Sequence, residues 1–261
     1  MKILYKYLSP TIPLFENRLI GFSTRSLLND PFEILPTSDA FLRLRDENKK
    51  EYFPLLEFSD GYDRLHNPFW CGEFFKRFGV LCLTETKSNL LMWSHYADSH
   101  RGFVVGFDVS HPFFNQSLTC EFNELSGFLG KVKRVKYDNI RPSSNDPTDW
   151  IYTKSNDWMY EKEHRMLMSL EGADEVMHKS NGSFSILEPD RRKVFEDVGG
   201  IGVELLPLYR VPNDAFVSLT LGANIDPLFA PELIFNARRI NPKIEIERAK
   251  ISTSRYELDF V

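Results

Sequence analysis

The stretch from Gly79-Val-Leu-Cys-Leu-Thr-Glu85 through Ser88-Asn-Leu-Leu-Met-Trp-Ser-His-Tyr-Ala-Asp-Ser-His-Arg101 to Phe103-Val-Val-Gly-Phe-Asp-Val109 decides the fold. Its first part is a short, nearly all-apolar run, the pattern of a buried strand. Ser88 suits the N-cap of a helix over Asn89 to Arg101, and Gly102 suits its end. At about 100° per residue, Leu90, Met92, Trp93, Tyr96, Ala97 and His100 share one helix face. His95 and Asp98 point the other way. In the second strand, Phe103, Val105, Phe107 and Val109 fall on one side.

Outward from this strand–helix–strand unit, Ile3 to Leu8 reads as a short strand, and Leu19 to Thr24 as an apolar run leading into Asn29-Asp-Pro-Phe-Glu33. Pro31 forbids a central strand there. Lys131-Val-Lys-Arg-Val-Lys-Tyr137 reads as a solvent-facing strand. The tail predicts a strand (Phe216 to Leu221), a helix (Pro231 to Ile240, with Pro231 suited to the first position) and a strand (Lys243 to Arg248). The expectation is an α+β fold, a central mixed or antiparallel sheet with flanking helices. It forms one domain over 1–261, with a helical insertion around 37–77 and a loop-rich segment around 172–200.

With 261 residues, 42% hydrophobic and 26% charged, the chain is neither disordered nor collagen-like and is long enough to hold a core without staples. A net charge of −5 argues against a global field for nonspecific nucleic-acid binding. The three cysteines (Cys71, Cys82, Cys120) form no C-x-x-C pair and read as reduced thiols. The first residues lack the apolar core of a signal peptide, and no run of about 18 apolar residues occurs. A soluble, cytoplasmic protein without membrane partners is expected.

Trp158-Met-Tyr-Glu-Lys-Glu-His-Arg-Met-Leu-Met-Ser-Leu170 admits two readings. As a strand, it turns Glu161, Glu163, Arg165 and Leu167 to one side. Two carboxylates beside a guanidinium could then orient a hydroxyl and stabilise a developing positive centre. As a helix, Glu161 and Arg165 form only a surface i,i+4 pair; spacing alone favours this second reading. Asn29, Asp30 and Glu33 form either a ligand-contacting turn or an Asx-type turn. His95 is free to act as an acid, base or ligand contact, and His100 reads as a core histidine. Their spacing of five does not suit a helical zinc pair, and no metal site is expected. Lys131, Lys133, Arg134 and Lys136 could meet phosphates or simply protect an edge strand. Dinucleotide-fold, P-loop, serine-hydrolase and zincin motifs are absent.

Taken in order, Leu4-Tyr-Lys-Tyr, Leu28-Asn-Asp-Pro-Phe-Glu, Leu83-Thr-Glu, Met92-Trp-Ser-His-Tyr-Ala with His100-x-Gly102-Phe, and Trp158-x-Tyr-Glu-x-Glu-x-Arg165 resemble a bacterial domain-of-unknown-function family. Members are similar in setting to proteins of phage-defence and abortive-infection islands. The resemblance implies a bacterial, growth-arresting role. A weaker resemblance is to the ADP-ribosyltransferase superfamily, with Lys6 or Tyr7, then Ser23, Thr24 and Ser26, then Glu161-x-Glu163 at the matching positions. Lys6 stands where a His or Arg is usual. This resemblance implies NAD as substrate. Glu163 would steady the ribose and its cationic centre, and Glu161 would orient a nucleic-acid or protein acceptor. Lys6, Tyr7, Ser23, Arg165, Trp93, His95 and Tyr96 would line the site with Thr24, Asn29, Asp30 and Glu33.

The leading expectation is an NAD-consuming transferase or glycohydrolase acting as a defence effector or toxin, with a neutralising or operon partner. Two alternatives are a nonenzymatic nucleotide- or partner-binding module and a Mg²⁺-dependent nuclease-like enzyme built on Asp30, Glu33, Glu161 and Glu163.

Overall fold

The computed structural model describes residues 2–35, 37, 39, 40, 43, 78–119, 127–144, 146–180, 183–187 and 204–261. Most of the expected helical insertion around 37–77, the residues Cys71 and Cys120, and positions 188–200 lie outside the described residues.

The central unit forms as a strand β3 (Phe78–Thr84), a helix (Leu90–Tyr96) and a strand β4 (Phe103–Asp108). The N-cap is Asn89 and not Ser88: the Asn89 side chain accepts from the backbone N–H groups of Leu91 and Met92. The helix also ends at Tyr96, before the expected Arg101. Asp98, Ser99 and His100 take left-handed φ values of 46°, 52° and 68°, and the Gly102 N–H donates to the Ala97 carbonyl. A Cβ on Gly102 would lie 2.0 Å from the Leu8 carbonyl oxygen, so the turn lets the chain enter the sheet at a point where only glycine fits.

The strands β3 and β4 are not neighbours. Between them runs β1 (Ile3–Leu8), antiparallel to both. With β5 (Val132–Arg134), β8 (Glu163–Ser169), β12 (Phe216–Leu221), β13 (Glu245–Ile251) and β14 (Leu258–Phe260), they make an eight-stranded sheet of order β14-β13-β12-β4-β1-β3-β8-β5. Among the described strands of this sheet only β12 and β13 pair in parallel, through a crossover over the helix Ala230–Ile240. The sheet is mixed and the class α+β, as expected. In that helix Pro231 is the second residue, which costs no intrahelical bond.

One sheet face carries Leu4, Leu81, Leu83, Phe103, Val105, Phe107, Met166 and Leu219 into the main core, against Phe15, Phe22, Leu233 and Ala237. A second, four-stranded sheet of order β10-β9-β11-β2 contributes Val176, Leu205 and Tyr209 to this core. It contains β2 (Leu19–Gly21), β9 (Glu175–Ser180), β10 (Ser183–Ile186) and β11 (Glu204–Arg210). The antiparallel pair β9 and β10 thus falls within the segment read as loop-rich, since the alternation in Glu175 to Ser180 is short and mostly polar. The opposite face of the large sheet turns Tyr7 and Val104 toward Met92, Trp93 and Ala97 of the short helix.

Two further segments depart from expectation. Residues 131–137 are not one strand: β5 ends at Arg134, the Val135 N–H still donates to the Glu163 carbonyl, and β6 (Lys136–Asp138) pairs in parallel with β7 (Thr153–Ser155). Residues 158–170 are not a helix. A 3₁₀ turn covers Asn156–Glu161, and the strand β8 begins at Glu163. Helical spacing of the charges misleads here, since strand pairing with β3 over seven registered residues decides the conformation. No helix among the described residues is long and apolar enough to cross a membrane.

Candidate active site

β1 pairs with β4 along its whole length, but with β3 only at Tyr5↔Thr84. Farther along, β3 bonds instead to Ser23, whose N–H and carbonyl exchange hydrogen bonds of 2.9 Å with Val80. The two strands diverge, and a cavity of about 180 Å³ opens at the divergence. Its walls are Tyr5, Lys6 and Tyr7 from β1, Ser23, the turn residues Asn29, Asp30 and Glu33, and Cys82 and Thr84 from β3. Met92 and Tyr96 of the short helix, Lys154, Trp158, Glu161 and Glu163 also line it, with Leu27, Leu28 and Leu83.

Glu161 ends the 3₁₀ turn and Glu163 begins β8. Lys162 between them is left-handed, with φ 47°. This break in regular structure still leaves both carboxylates on one side, because both reach a single ammonium. Lys154 Nζ lies 2.6 Å from Glu161 Oε2 and 3.1 Å from Glu163 Oε2. The same nitrogen is 3.6 Å from Glu33 Oε1 and 4.8 Å from the centre of the Trp158 ring. Arg165, two residues along the same strand face as Glu163, donates to it from Nε at 2.8 Å and from a terminal nitrogen at 3.1 Å. Arg165 also contacts Glu33 and the Ile151 carbonyl. The Tyr96 hydroxyl donates to Glu161 Oε1 at 2.6 Å, and the Tyr137 hydroxyl accepts from the Glu163 N–H at 2.7 Å.

Four buried acids (Asp30, Glu33, Glu161, Glu163) thus surround two buried cations (Lys154, Arg165). Burial raises Glu163 above the usual carboxylate range, with Lys154 opposing. Burial pulls Lys154 down, but the carboxylates of Glu163 and Glu161 outweigh it and hold the ammonium above the ordinary lysine range. Arg165 is lowered by burial, opposed by Asp30, and as a guanidinium it stays charged. The Tyr96 phenol is raised by burial and then by Glu161, so it serves as a donor. Burial, followed by Glu163, raises the Cys82 thiol and removes thiolate reactivity.

Of the residues singled out in the sequence, the cavity brings together Lys6, Tyr7, Ser23, Asn29, Asp30, Glu33, Tyr96, Glu161 and Glu163. Arg165 lies beneath them, fully buried, and acts through Glu163. Asp30 is both things considered for it: Oδ1 accepts from the Phe32 N–H at 2.9 Å, an Asx turn, while the residue lines the cavity. Besides Arg165, three predicted residues fall outside the lining. His95 is on the exposed face of its helix. Trp93 is buried, edge-on to Tyr7 at 5.3 Å, with its indole N–H donating to the Lys87 carbonyl. Thr24 points into the second sheet and donates to the Leu205 carbonyl at 2.9 Å. His100 stacks on Trp93.

Lys154 carries no role in the sequence analysis, and Thr84 enters there only within the Leu83-Thr-Glu motif. A lone lysine after the apolar Trp150-Ile-Tyr152 was the available signal, and it is a weak one. A second cavity of about 250 Å³ shares Asp30, Glu33 and Lys154 as a wall with the first. Among the described residues no group of three or more His, Cys, Asp or Glu is placed to hold a metal ion. The point where Glu33, Glu161 and Glu163 converge holds the Lys154 ammonium.

Residues 92–166 match the model of a family described as a protein of unknown function (DUF2971). The matched span contains the Met92-Trp-Ser-His-Tyr-Ala and Trp158 to Arg165 motifs, so the resemblance to a domain-of-unknown-function family holds. No curated protein and no solved structure matches the chain.

Proposed function

We propose that the cavity is the active site of an NAD-consuming enzyme of ADP-ribosyltransferase type, a transferase or NAD glycohydrolase serving as a bacterial defence or toxin effector. One observation carries this reading. Lys6 and Tyr7, Ser23, and the Glu161-x-Glu163 pair are far apart in the chain, yet they line one cavity at a strand divergence. These are the three elements that the superfamily resemblance names. The aromatic walls (Tyr5, Tyr7, Tyr96, Trp158) suit a planar pyridinium ring.

In the reaction, the bond between the ribose C1′ and the pyridinium nitrogen breaks, and its electron pair leaves with neutral nicotinamide. The oxocarbenium-like ribosyl centre is stabilised by the carboxylates of Glu163 and Glu161. A hydroxyl or amine acceptor, or water, attacks C1′ and loses its proton to solvent or to Glu161.

A second reading, a nonenzymatic nucleotide-binding module, is favoured by a different observation. Every carboxylate oxygen of Glu161 and Glu163 already receives a protein donor.

Incubation with labelled NAD and RNA, DNA or protein acceptors separates the readings. The enzyme reading expects nicotinamide release or acceptor labelling, lost in Glu161→Gln and Glu163→Gln. The absence of both, with Glu163→Gln indistinguishable from wild type, overturns it. A rise in melting temperature with NAD and no turnover selects the binding module.

A further inference from the structure

Lys154 sits where three segments converge. It belongs to β7, and its ammonium contacts Glu33 from the turn, Glu161 from the end of the 3₁₀ turn and Glu163 from β8. Its side chain is only 6% exposed. Among the described residues it is the cation that bridges Glu161 and Glu163; Arg165 pairs with Glu163 and Glu33. Two carboxylates this close repel, and without a shared cation one of them tends to take up a proton. The other groups around the pair are Tyr96 from the helix, Tyr160 from the 3₁₀ turn, Tyr137 from β6, Cys82 from β3, Asp30 from the turn and Lys6 from β1. Lys6 is the one cation among them.

We propose that Lys154 is the positioning residue of this site: its ammonium holds Glu161 and Glu163 side by side as carboxylates and takes no part in the reaction itself. An ammonium has no lone pair, so it is neither nucleophile nor base. Its work is geometric and electrostatic. The catalytic half of the proposal rests on the NAD-cleaving reading; the structural half does not.

The test uses the full chain with Lys154→Ala, Lys154→Met and Lys154→Arg, and with methyl-, ethyl- or propylammonium chloride against sodium chloride at equal ionic strength. The second cavity borders Lys154, so shortening the side chain opens a path for a small cation to the vacated position. Alkylammonium is expected to raise the melting temperature of Lys154→Ala, but not of wild type or Lys154→Met, whose side chains fill the position. The response should vanish when Glu161 and Glu163 are both glutamine. Should Lys154→Ala fail to fold alone, its refolding yield in alkylammonium against sodium reads the same property. In nicotinamide release, the acid limb of the pH profile is expected to move up by about one to three pH units in Lys154→Met. Alkylammonium is expected to restore release to Lys154→Ala.

An unchanged pH profile in Lys154→Met overturns the proposal, as does a Lys154→Ala protein indifferent to alkylammonium. If wild type releases no nicotinamide, the NAD reading fails, and the melting-temperature arm decides the role of Lys154 by itself.

Discussion

The Tyr96 hydroxyl donates to Glu161 Oε1 at 2.6 Å, tying the helix that covers the sheet to the last residue of the 3₁₀ turn. The contact joins residues 65 positions apart and closes one wall of the cavity. Tyr96→Phe removes a donor from a buried carboxylate while keeping the ring. The expected loss is about 1–3 kcal/mol of stability, read from urea unfolding, together with reduced nicotinamide release. A variant as stable as wild type would show that the carboxylate finds water in place of the phenol.

Arg165 is fully buried and anchors Glu163 through two nitrogens. Arg165→Met leaves Glu163 and Glu33 short of a cation, for an expected loss of about 3–5 kcal/mol. Arg165→Lys should recover little of it, because an ammonium cannot reproduce the fork that also reaches the Ile151 carbonyl. Equilibrium unfolding of the two variants beside wild type checks both statements.

Gly102 lies against the β1 carbonyl of Leu8, and a methyl group there would stand 2.0 Å from that oxygen. Backbone cannot yield as a side-chain tip can. Gly102→Ala is expected to destabilise by at least about 1–3 kcal/mol, the usual scale for overpacking. Gly127→Ala, whose new Cβ meets no atom of the described residues within 4 Å, should be nearly silent and serves as the control in the same thermal scan.

His164 is buried on the core-side face of β8, with Lys2 Nζ 3.5 Å and Glu85 Oε1 3.6 Å from its Nε2. Burial, then Lys2, lowers its pKa below the ordinary 6.5, against the weaker pull of Glu85. The folded state therefore binds fewer protons than the unfolded state in mildly acid solution. This contribution to stability is full above pH 6.5 and is lost as the pH falls through the lowered folded value. The melting temperature should drop from pH 7 to pH 5, and His164→Gln should flatten that slope. His100, also lowered by burial, adds to the slope in the same sense and is unaffected by the variant.

The pattern of Phe103, Val105 and Phe107 against Val104 was readable because a strand in a sheet buried on both faces must still alternate, and each face meets a different partner. The tail was readable for a similar reason, since Pro231 near a helix start and the apolar run of β12 are local signals. The 158–170 segment was not. Its charges repeat at helical spacing, and only the backbone pairing of Glu163 to Ser169 with β3 makes it a strand. Likewise the helix over residues 90–96 stops early because Gly102 must dock on Leu8, a contact between distant segments.

By itself the chain determined its class, its apolar strands and the acids available for a site, because burial patterning and turn chemistry act over a few residues. Tertiary structure alone decided that β1 and β3 part company at Tyr5, which opens the cavity. It also decided that a lysine with only a weak sequence signal stands among Glu33, Glu161 and Glu163. Charges of one sign can share a buried space only around a counter-charge. Which cation supplies it depends on strand order and chain crossing, which no local pattern encodes.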